Sequence, residues 1–268
     1  MSDSKPPQRL RAKKKFGQNF LHDQSVIERI INAFNPQKGQ EVFEIGPGHA
    51  ALTNHLVEYT DNLHLVEIDN DLVPKLELKF ANCNNVTIHH QDALLLQLHN
   101  DNTRIIGNLP YNISTPLLIS FLYQSSKIKD MVFMLQKEVV KRICAPAGVK
   151  AYGRLSVMLQ YAFECEELFI VPPEAFEPRP KIDSQIIRLT TRENPAKVDL
   201  PALEALVKLA FGQRRKTIKN NLKTRVTEQQ LIDLNVDPKA RPETLTVQEY
   251  VNIANMLGSA DGSSAIDS

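Results

Sequence analysis

Acidic residues and glycines recur where predicted strands end in the first half of the chain. Glu44, Gly46 and Gly48 close the predicted strand 41–45, and Glu67 and Asp92 follow the next two strands. Glycines let the backbone approach a ligand closely, and a carboxylate after the second strand can accept hydrogen bonds from ribose hydroxyls. A tight turn without a ligand would explain the glycines alone, but not the two acids at matching strand ends. The spacing therefore predicts a nucleotide-type site.

Glu44 helps to choose between two classes of nucleotide ligand. A dinucleotide enzyme would use a similar run, here Gly46, Gly48 and Ala51 in the spacing GxGxxA. A carboxylate two residues before the first glycine would repel a pyrophosphate, whereas it suits the sulfonium and ammonium groups of S-adenosylmethionine. We therefore favour a methyltransferase, with the dinucleotide enzyme left open by these residues alone.

Residues 108–111 (NLPY) follow the fourth predicted strand, at the same edge of the sheet. The exocyclic amine of a base is a poor nucleophile, because its lone pair is delocalised into the ring. The side-chain oxygen of Asn108 and a backbone carbonyl fixed by Pro110 could hold its two N–H groups, while Tyr111 stacks on the base. The alternative is a proline-induced turn with a buried tyrosine. The four residues in this order favour methyl transfer to a base amine.

Alternating strand and helix patterns must position these residues. Strands are predicted over 41–45, 63–68, 86–90, 103–107, 131–135 and 185–189, with helices over 49–59, 71–80, 116–123 and up to 143. Ser25 and Glu28 have the spacing of a capping box and predict the start of an earlier helix that ends before Pro36. The alternation predicts a mostly parallel sheet covered by helices on both faces.

The second half of the chain changes character and becomes helical. Pro201 stands at a first-turn position, and Thr227 with Gln230 and Thr246 with Glu249 form two further capping-box patterns. We predict an α/β domain over 1–194 with a basic N-terminal arm, a small all-α domain over 195–257, and a disordered tail over 258–268.

Composition excludes several classes of protein. The 268 residues include 42% hydrophobic and 24% charged residues, which is typical of a globular protein with a real core. The three cysteines form no CxxC pair, and Cys83, His89 and His90 have poor ligand spacing, so we predict neither a disulfide framework nor a metal site. No signal peptide or membrane-spanning stretch is evident, and we expect a cytoplasmic protein.

The net charge of +1 hides two acid-free basic runs. Residues 5–15 contain six Lys or Arg and residues 205–227 contain seven. A solvated helix face and a disordered arm would explain either run alone, but basic faces also suit a polyanion. Arg214, Arg215, Lys216 and Lys219 have a spacing that places them on one side of a predicted helix, where they could contact phosphates.

Several longer motifs resemble those of the bacterial small-subunit ribosomal RNA adenine dimethyltransferases, over nearly the whole chain. The motifs are residues 16–21 (FGQNFL), 44–48 (EIGPG), 108–115 (NLPYNIST), 134–138 (MLQKE), 151–156 (AYGRLS), 176–184 (FEPRPKIDS) and 211–218 (FGQRRKTI). The resemblance implies a class I S-adenosylmethionine-dependent methyltransferase fold, Rossmann-like, with a small all-α C-terminal domain. It also implies that two adjacent adenosines near the 3′ end of 16S rRNA are dimethylated at N6, in the small (30S) subunit or its late assembly intermediate.

The resemblance assigns roles to individual residues. It implies S-adenosylmethionine contacts from Asn19, Leu21, Gly46, Glu67, Asp92 and Asn108. It implies target-base contacts from Asn108, Leu109, Pro110 and Tyr111, and from Phe176, which we expect in a rigid exposed loop over the other face of a flipped adenine. With it, we expect rRNA contacts from Lys13, Lys14, Arg214, Arg215, Lys216, Lys219 and Lys223.

Two other functions remain possible for such a chain. One is a methyltransferase for another RNA, as in the related antibiotic-resistance enzymes of the large subunit, although the residues 213–218 (QRRKTI) favour the small-subunit branch. The other is a non-catalytic RNA-binding or assembly factor, against which the intact residues 108–111 argue. For the small-subunit rRNA methyltransferase we expect a monomer.

Overall fold

A computed structural model describes residues 19–263, and a seven-stranded sheet forms its centre. In chain order the strands of this sheet are β2 (Glu41–Ile45), β3 (Asn62–Glu67), β4 (Val86–His90), β5 (Thr103–Asn108), β6 (Ile128–Gln136), β7 (Phe163–Val171) and β9 (Ser184–Thr191). Their spatial order is β4-β3-β2-β5-β6-β9-β7. The first five are parallel, and β9 runs antiparallel to both β6 and β7. The predicted mostly parallel sheet is confirmed.

Helices cover both faces of the sheet, as predicted. The α/β part contains α1 (Gln24–Phe34), α2 (Thr53–Tyr59), α3 (Val73–Lys79), α4 (Ser114–Leu122), α5 (Lys137–Cys144) and α6 (Arg154–Ala162). Buried residues of α1, α2 and α3 share one apolar cluster with Val42, whereas those of α4, α5 and α6 share the other with Phe43. Neighbouring residues of a strand point to opposite faces, so β2 contributes to both clusters.

Helix α1 begins two residues earlier than the predicted capping box requires. Asp23 is its N-cap, and its carboxylate accepts from the backbone N–H groups of Ser25 (2.9 Å) and Val26 (3.2 Å). The interpretation of Ser25 and Glu28 as a capping box is therefore wrong. Aspartate is as strong an N-cap as serine, and here it lies two residues upstream. The helix ends at Asn35, which adopts a left-handed conformation with φ of 49°.

Three further elements differ from the predictions. The helix predicted from residue 49 begins at Thr53, because Ala50 has φ of +66° and cannot continue a right-handed helix. Helix α6 and the edge strand β7 are absent from the predicted elements. In β7 the charges of Glu164, Glu166 and Glu167 are exposed and interrupt the apolar pattern of a strand. Charged side chains on an edge strand discourage pairing with other chains.

A two-stranded sheet holds the beginning of the described chain. Strand β1 (Phe20–Leu21) pairs antiparallel with β8 (Phe176–Glu177), and the N–H of His22 donates to the carbonyl of Ala175 at 3.0 Å. This pairing joins two segments that are about 155 residues apart in sequence, and it brings residues 19–21 beside the main sheet.

The C-terminal part is helical, as predicted. It contains α7 (Leu200–Ala210), α8 (Ile218–Leu222), α9 (Glu228–Asp233) and α10 (Val247–Ser263). Pro201 lies in the first turn of α7, and both predicted capping boxes, at Thr227 and Thr246, are confirmed by reciprocal hydrogen bonds. Leu203, Val207 and Tyr250 are buried in the same cluster as helix α6, so these helices share the core of the α/β part.

Helix α10 continues through residues 258–263, for which the sequence predicts disorder. That part of the prediction is wrong, because Gly258 and Gly262 each cost only about 1 kcal/mol inside a long helix and do not end it. The rest of the predicted tail lies outside the described residues. No described helix is long and apolar enough to cross a membrane.

Candidate active site

A cleft opens at the carboxyl edge of the sheet, between β2 and β5. From β2 the chain continues to β3 on one side, whereas β5 leads to β6 on the other, so the connections leave this point in opposite directions. Ligands of open α/β sheets bind at such a switch point. Nine of the predicted site residues line the cleft: Asn19, Leu21, Gly46, Glu67, Asp92, Asn108, Leu109, Pro110 and Tyr111.

The loop after β2 follows the wall of the cleft closely because of its glycines. Gly46 and Gly48 have φ of +66° and +58°, a region that favours glycine. A Cβ atom on Gly48 would also lie 3.2 Å from the ring of Phe20, and this ring packs on His49 at a centroid distance of 4.1 Å. Strand β1 thus holds the glycine loop from outside, and any larger residue at position 48 would push the two apart.

Two buried carboxyl groups lie beneath this loop. Glu44 is only 2% exposed and accepts a hydrogen bond from the hydroxyl of Thr53 at 2.7 Å. Burial raises the pKa of Glu44 to about 7; the Thr53 bond opposes this rise, and the charge of nearby Glu67 adds to it. The ionised form of a carboxyl group that is buried away from water is strongly stabilised by any positive charge that enters the cleft.

Glu67 ends β3, Asp92 lies two residues after β4, and backbone N–H groups orient both carboxylates. Glu67 accepts from the N–H groups of Ile68 and Asp69, both at 2.9 Å, and from Gly48 at 3.3 Å. Burial raises the pKa of Glu67, whereas these bonds lower it. Asp92 accepts from the N–H of Leu94 at 2.9 Å at the start of a 3₁₀ turn. Both carboxylates are therefore held in place at the cleft.

The lining fits S-adenosylmethionine better than a dinucleotide. The described residues of the cleft include three carboxylates, Glu44, Glu67 and Asp92, and neither Lys nor Arg. A pyrophosphate would meet uncompensated negative charge there, whereas a sulfonium and an ammonium would meet complementary charge. Backbone-oriented carboxylates also suit ribose hydroxyls and an adenine amine. The preference predicted from Glu44 is supported by the whole lining.

Asn108 lies at the end of β5 with a fixed side-chain amide. Its Nδ2 donates to the backbone carbonyl of Asn19 at 2.9 Å, so its Oδ1 is oriented as an acceptor in the cleft. Gly107, just before it, allows β5 to approach β2 closely, because a Cβ atom there would lie 2.5 Å from the carbonyl oxygen of Ile45. The backbone N–H of Leu109 donates to the carbonyl of Met134 in β6 at 3.2 Å, so the sheet hydrogen bonding continues into the turn.

Tyr111 is half-buried at the cleft, whereas Phe176 is not at the cleft. The Tyr111 hydroxyl forms a hydrogen bond with Oγ of Ser184 at 2.9 Å. Phe176 is 2% exposed in β8, within the apolar cluster of α1, and it does not line the cleft. The prediction of an exposed loop at Phe176 is wrong, because its pairing with Leu21 turns the ring into the core.

The predicted basic helix face is also wrong. A 3₁₀ turn covers Phe211–Gln213, and the next helix begins only at Ile218, after the N-cap Thr217, so the cluster lies largely on a turn. Arg214 donates to the carbonyls of Lys150 (2.9 Å) and Tyr152 (2.7 Å) and anchors that turn. The remaining predicted basic residues fall into three groups: Arg215, Lys216 and Lys223 are exposed, Lys219 pairs with Glu228, and Lys13 and Lys14 lie outside the described residues.

Two residues at the site are missing from the predictions made from sequence. Ser184 contacts Tyr111, and Phe20 contacts Gly48. Both lie inside the longer motifs at residues 176–184 and 16–21, and membership of those motifs is the one local signal that distinguishes them. Their contacts depend on segments far apart in the chain.

The chain matches a protein-family model described as ribosomal RNA adenine dimethylase over residues 9–259. It is 46% identical over 270 residues to the ribosomal RNA small subunit methyltransferase A of Marinomonas sp. (strain MWYL1), covering 98% of this chain and all of that protein. It is 49% identical over 251 residues to the protein of the same name from Coxiella burnetii (strain RSA 493 / Nine Mile phase I), covering 91% and 97%.

Solved structures agree in fold. A dimethyladenosine transferase from Plasmodium falciparum superimposes with a TM-score of 0.79 at 23% identity, covering 89% of this chain and 98% of that one. The 23S rRNA methyltransferase ErmE superimposes with a TM-score of 0.71 at 25% identity, covering 90% and 100%. The predicted class I methyltransferase fold is confirmed. The family match excludes the dinucleotide enzyme.

Proposed function

The chain belongs to the ribosomal RNA adenine dimethylase family, and on that premise we propose that it dimethylates N6 of two adjacent adenosines near the 3′ end of 16S rRNA, with S-adenosylmethionine as the methyl donor. The observation that carries the proposal is the fixed amide of Asn108 beside Tyr111, in one cleft with three carboxylates. The relatives at 46–49% identity bear the name of a small-subunit methyltransferase, which favours 16S over 23S rRNA.

We assign the cofactor half of the cleft to its carboxylates and its glycine loop. Bound there, S-adenosylmethionine supplies an electrophilic methyl group on a positively charged sulfur. Glu67 and Asp92 bind hydroxyl and amine groups of the nucleoside part, the backbone of Gly46 leaves room for the ligand, and Glu44 supplies negative charge. Asn19 and Leu21 close this half from the side of β1.

We assign the other half of the cleft to the target base. Oδ1 of Asn108 accepts one N–H of the adenine amine, and a backbone carbonyl of the turn that Pro110 fixes accepts the other. Holding both N–H groups turns the nitrogen lone pair out of conjugation and toward the methyl group. Tyr111 stacks on the base, whereas buried Phe176 has no base face to cover in this arrangement.

We propose a methyltransferase part over residues 1–194 and a helical, RNA-binding part over 195–257. In the helical part, the exposed side chains of Arg215, Lys216 and Lys223 are the proposed phosphate contacts. Lys13, Lys14 and Lys219 are further candidates. We also propose that the enzyme acts as a monomer. A late 30S assembly intermediate in the cytoplasm is the proposed substrate.

Methyl transfer to isolated ribosomal subunits tests the proposal. The protein is incubated with methyl-labelled S-adenosylmethionine and small subunits that lack the modification, and labelled nucleotides are mapped by mass spectrometry. We expect four methyl groups on two adjacent adenosines near the 3′ end. Absence of label on adenine, or equal labelling of large-subunit RNA, would overturn the assignment.

A pair of asparagine variants separates chemistry from folding. Asn108→Ala removes the acceptor for the adenine amine, and we expect transfer to fall by at least about a hundredfold while RNA affinity stays unchanged. Asn82→Ala is the matched control, because Asn82 is exposed in the loop between α3 and β4, at the opposite edge of the sheet. Equal activity of the two variants would contradict the role of Asn108.

A further inference from the structure

One hydrogen bond joins the Tyr111 side chain to strand β9 of the main sheet. The Tyr111 hydroxyl and Oγ of Ser184 lie 2.9 Å apart, and either oxygen can donate. Ser184 is fully buried, and Tyr111 is half-buried with its ring at the cleft. Because Ser184 is buried away from water, its hydroxyl depends on Tyr111 for a hydrogen bond.

Ser184 is a rigid anchor for this bond. It is the first residue of β9, where it pairs with Gln136 of β6 and Val171 of β7. The preceding residue, Asp183, is held twice by Lys137: its carbonyl accepts from the Lys137 N–H at 3.1 Å, and its carboxylate pairs with Nζ at 3.0 Å. The serine hydroxyl therefore has little freedom to move.

The other contacts of Tyr111 restrain its backbone and leave its ring to turn. The N–H groups of Ile113 and Ser114 donate to the Pro110 carbonyl, and Oγ of Ser114 donates to the Tyr111 carbonyl at 3.2 Å. A tyrosine side chain keeps two torsion angles when its backbone is fixed. The bond to Ser184 restrains both at the far end of the ring.

From this geometry we propose that Ser184 is a positioning residue for methyl transfer, which holds the Tyr111 ring in the plane against which the target adenine stacks. The inference rests on the proposed function, since it gives Ser184 a role only if Tyr111 stacks on the base. Ser184 touches neither the base nor the cofactor in this role. Its effect is on orientation, to which transfer rates are very sensitive.

Three variants test the proposal by a double-mutant cycle: Ser184→Ala, Tyr111→Phe, and both together. We expect each single variant to lower kcat about fivefold to tenfold, with KM for S-adenosylmethionine unchanged. The double variant should be no slower than either single one, because both remove the same bond. Tyr111→Phe leaves β9 untouched, so the test stands even if Ser184→Ala folds poorly.

A matched control separates positioning from the loss of a buried hydroxyl. Ser156 is equally buried in α6, where its hydroxyl accepts from the Gly153 N–H at 2.9 Å and donates to the Arg142 carbonyl, remote from the cleft. Ser156→Ala should lower the melting temperature and leave kcat unchanged.

Failure of this inference and failure of the proposed function give different results. Wild-type kcat in Tyr111→Phe or in folded Ser184→Ala, or effects that multiply in the double variant, would overturn the role of Ser184 while wild-type protein still methylates adenine. A wild-type protein without any adenine methylation would overturn the proposed function, and the inference with it.

Discussion

The buried carboxyl group of Glu44 makes stability depend on pH in a direction opposite to that of an ordinary ion-paired acid. Its pKa rises from a usual value of 4.5 to about 7, chiefly because of burial. The folded protein then holds this proton more tightly than the unfolded chain does. The contribution to the free energy of unfolding is fully present below pH 4.5 and is lost as the pH rises through about 7. A pKa change of this size corresponds to about 3 kcal/mol.

Glu44→Gln removes the titrating group and keeps its shape. The glutamine Oε1 can still accept from the Thr53 hydroxyl, which lies 2.7 Å from the carboxylate. We expect the free energy of unfolding of the variant to exceed that of wild-type protein by a margin that grows by about 2–3 kcal/mol between pH 5 and pH 8.5. Urea unfolding of both proteins across this range measures the margin directly.

A second carboxyl group of the same region provides the control. Glu58 is exposed on helix α2, so Glu58→Gln is the matched control for removing a carboxyl group that is not buried. A margin for Glu44→Gln that stays constant from pH 5 to pH 8.5 would refute the reasoning.

S-adenosylmethionine, as a cation, should also stabilise wild-type protein against unfolding more at pH 8 than at pH 6. This difference between the two pH values should be smaller in Glu44→Gln.

Four further substitutions test other parts of the molecule. Gly107→Ala places a Cβ atom 2.5 Å from a carbonyl oxygen of β2, so we expect a loss of about 1–3 kcal/mol in thermal unfolding; an unchanged melting temperature would contradict the close approach. The buried guanidinium of Arg104 donates to the Asp130 carboxylate at 2.6 and 2.7 Å, and Asp130→Asn removes this counter-charge. We expect the variant to lose about 3–5 kcal/mol of unfolding free energy in urea, while kcat of the folded enzyme is unchanged. Arg215→Ala and Lys216→Ala should each reduce the slope of log affinity for rRNA against log salt by about 1, and equal slopes would exclude them as phosphate contacts.

The features that the sequence predicts well are set by residues close together in the chain. Glu44, Glu67 and Asp92 each follow a short apolar run, and in a parallel sheet such runs end at the same edge. The predicted strand ends alone are therefore enough to place these three carboxylates in one cleft. Residues 108–111 are placed by the same reasoning.

Features that depend on distant segments escape such reasoning. Phe176 is apolar and flanked by prolines, and nothing near it in sequence reveals that it pairs with Leu21 and becomes core. The bond from Ser184 to Tyr111 likewise joins residues 73 positions apart. The basic run at 214–219 fails for a different reason: charge spacing suggests a helix face, but a helix begins only at the N-cap Thr217.

The short strand β1 connects the two halves of the cleft, and this connection follows from three contacts. The Asn19 carbonyl accepts from the Asn108 amide at the target-base half, whereas the Phe20 ring packs on Gly48 at the cofactor half. Leu21 pairs with Phe176 and ties both contacts to the core. A displacement of these three residues would disturb the Asn108 amide and the glycine loop together. In the proposed arrangement one segment therefore orients both partners of the reaction, so the relative position of methyl donor and acceptor should depend on β1 as well as on the main sheet.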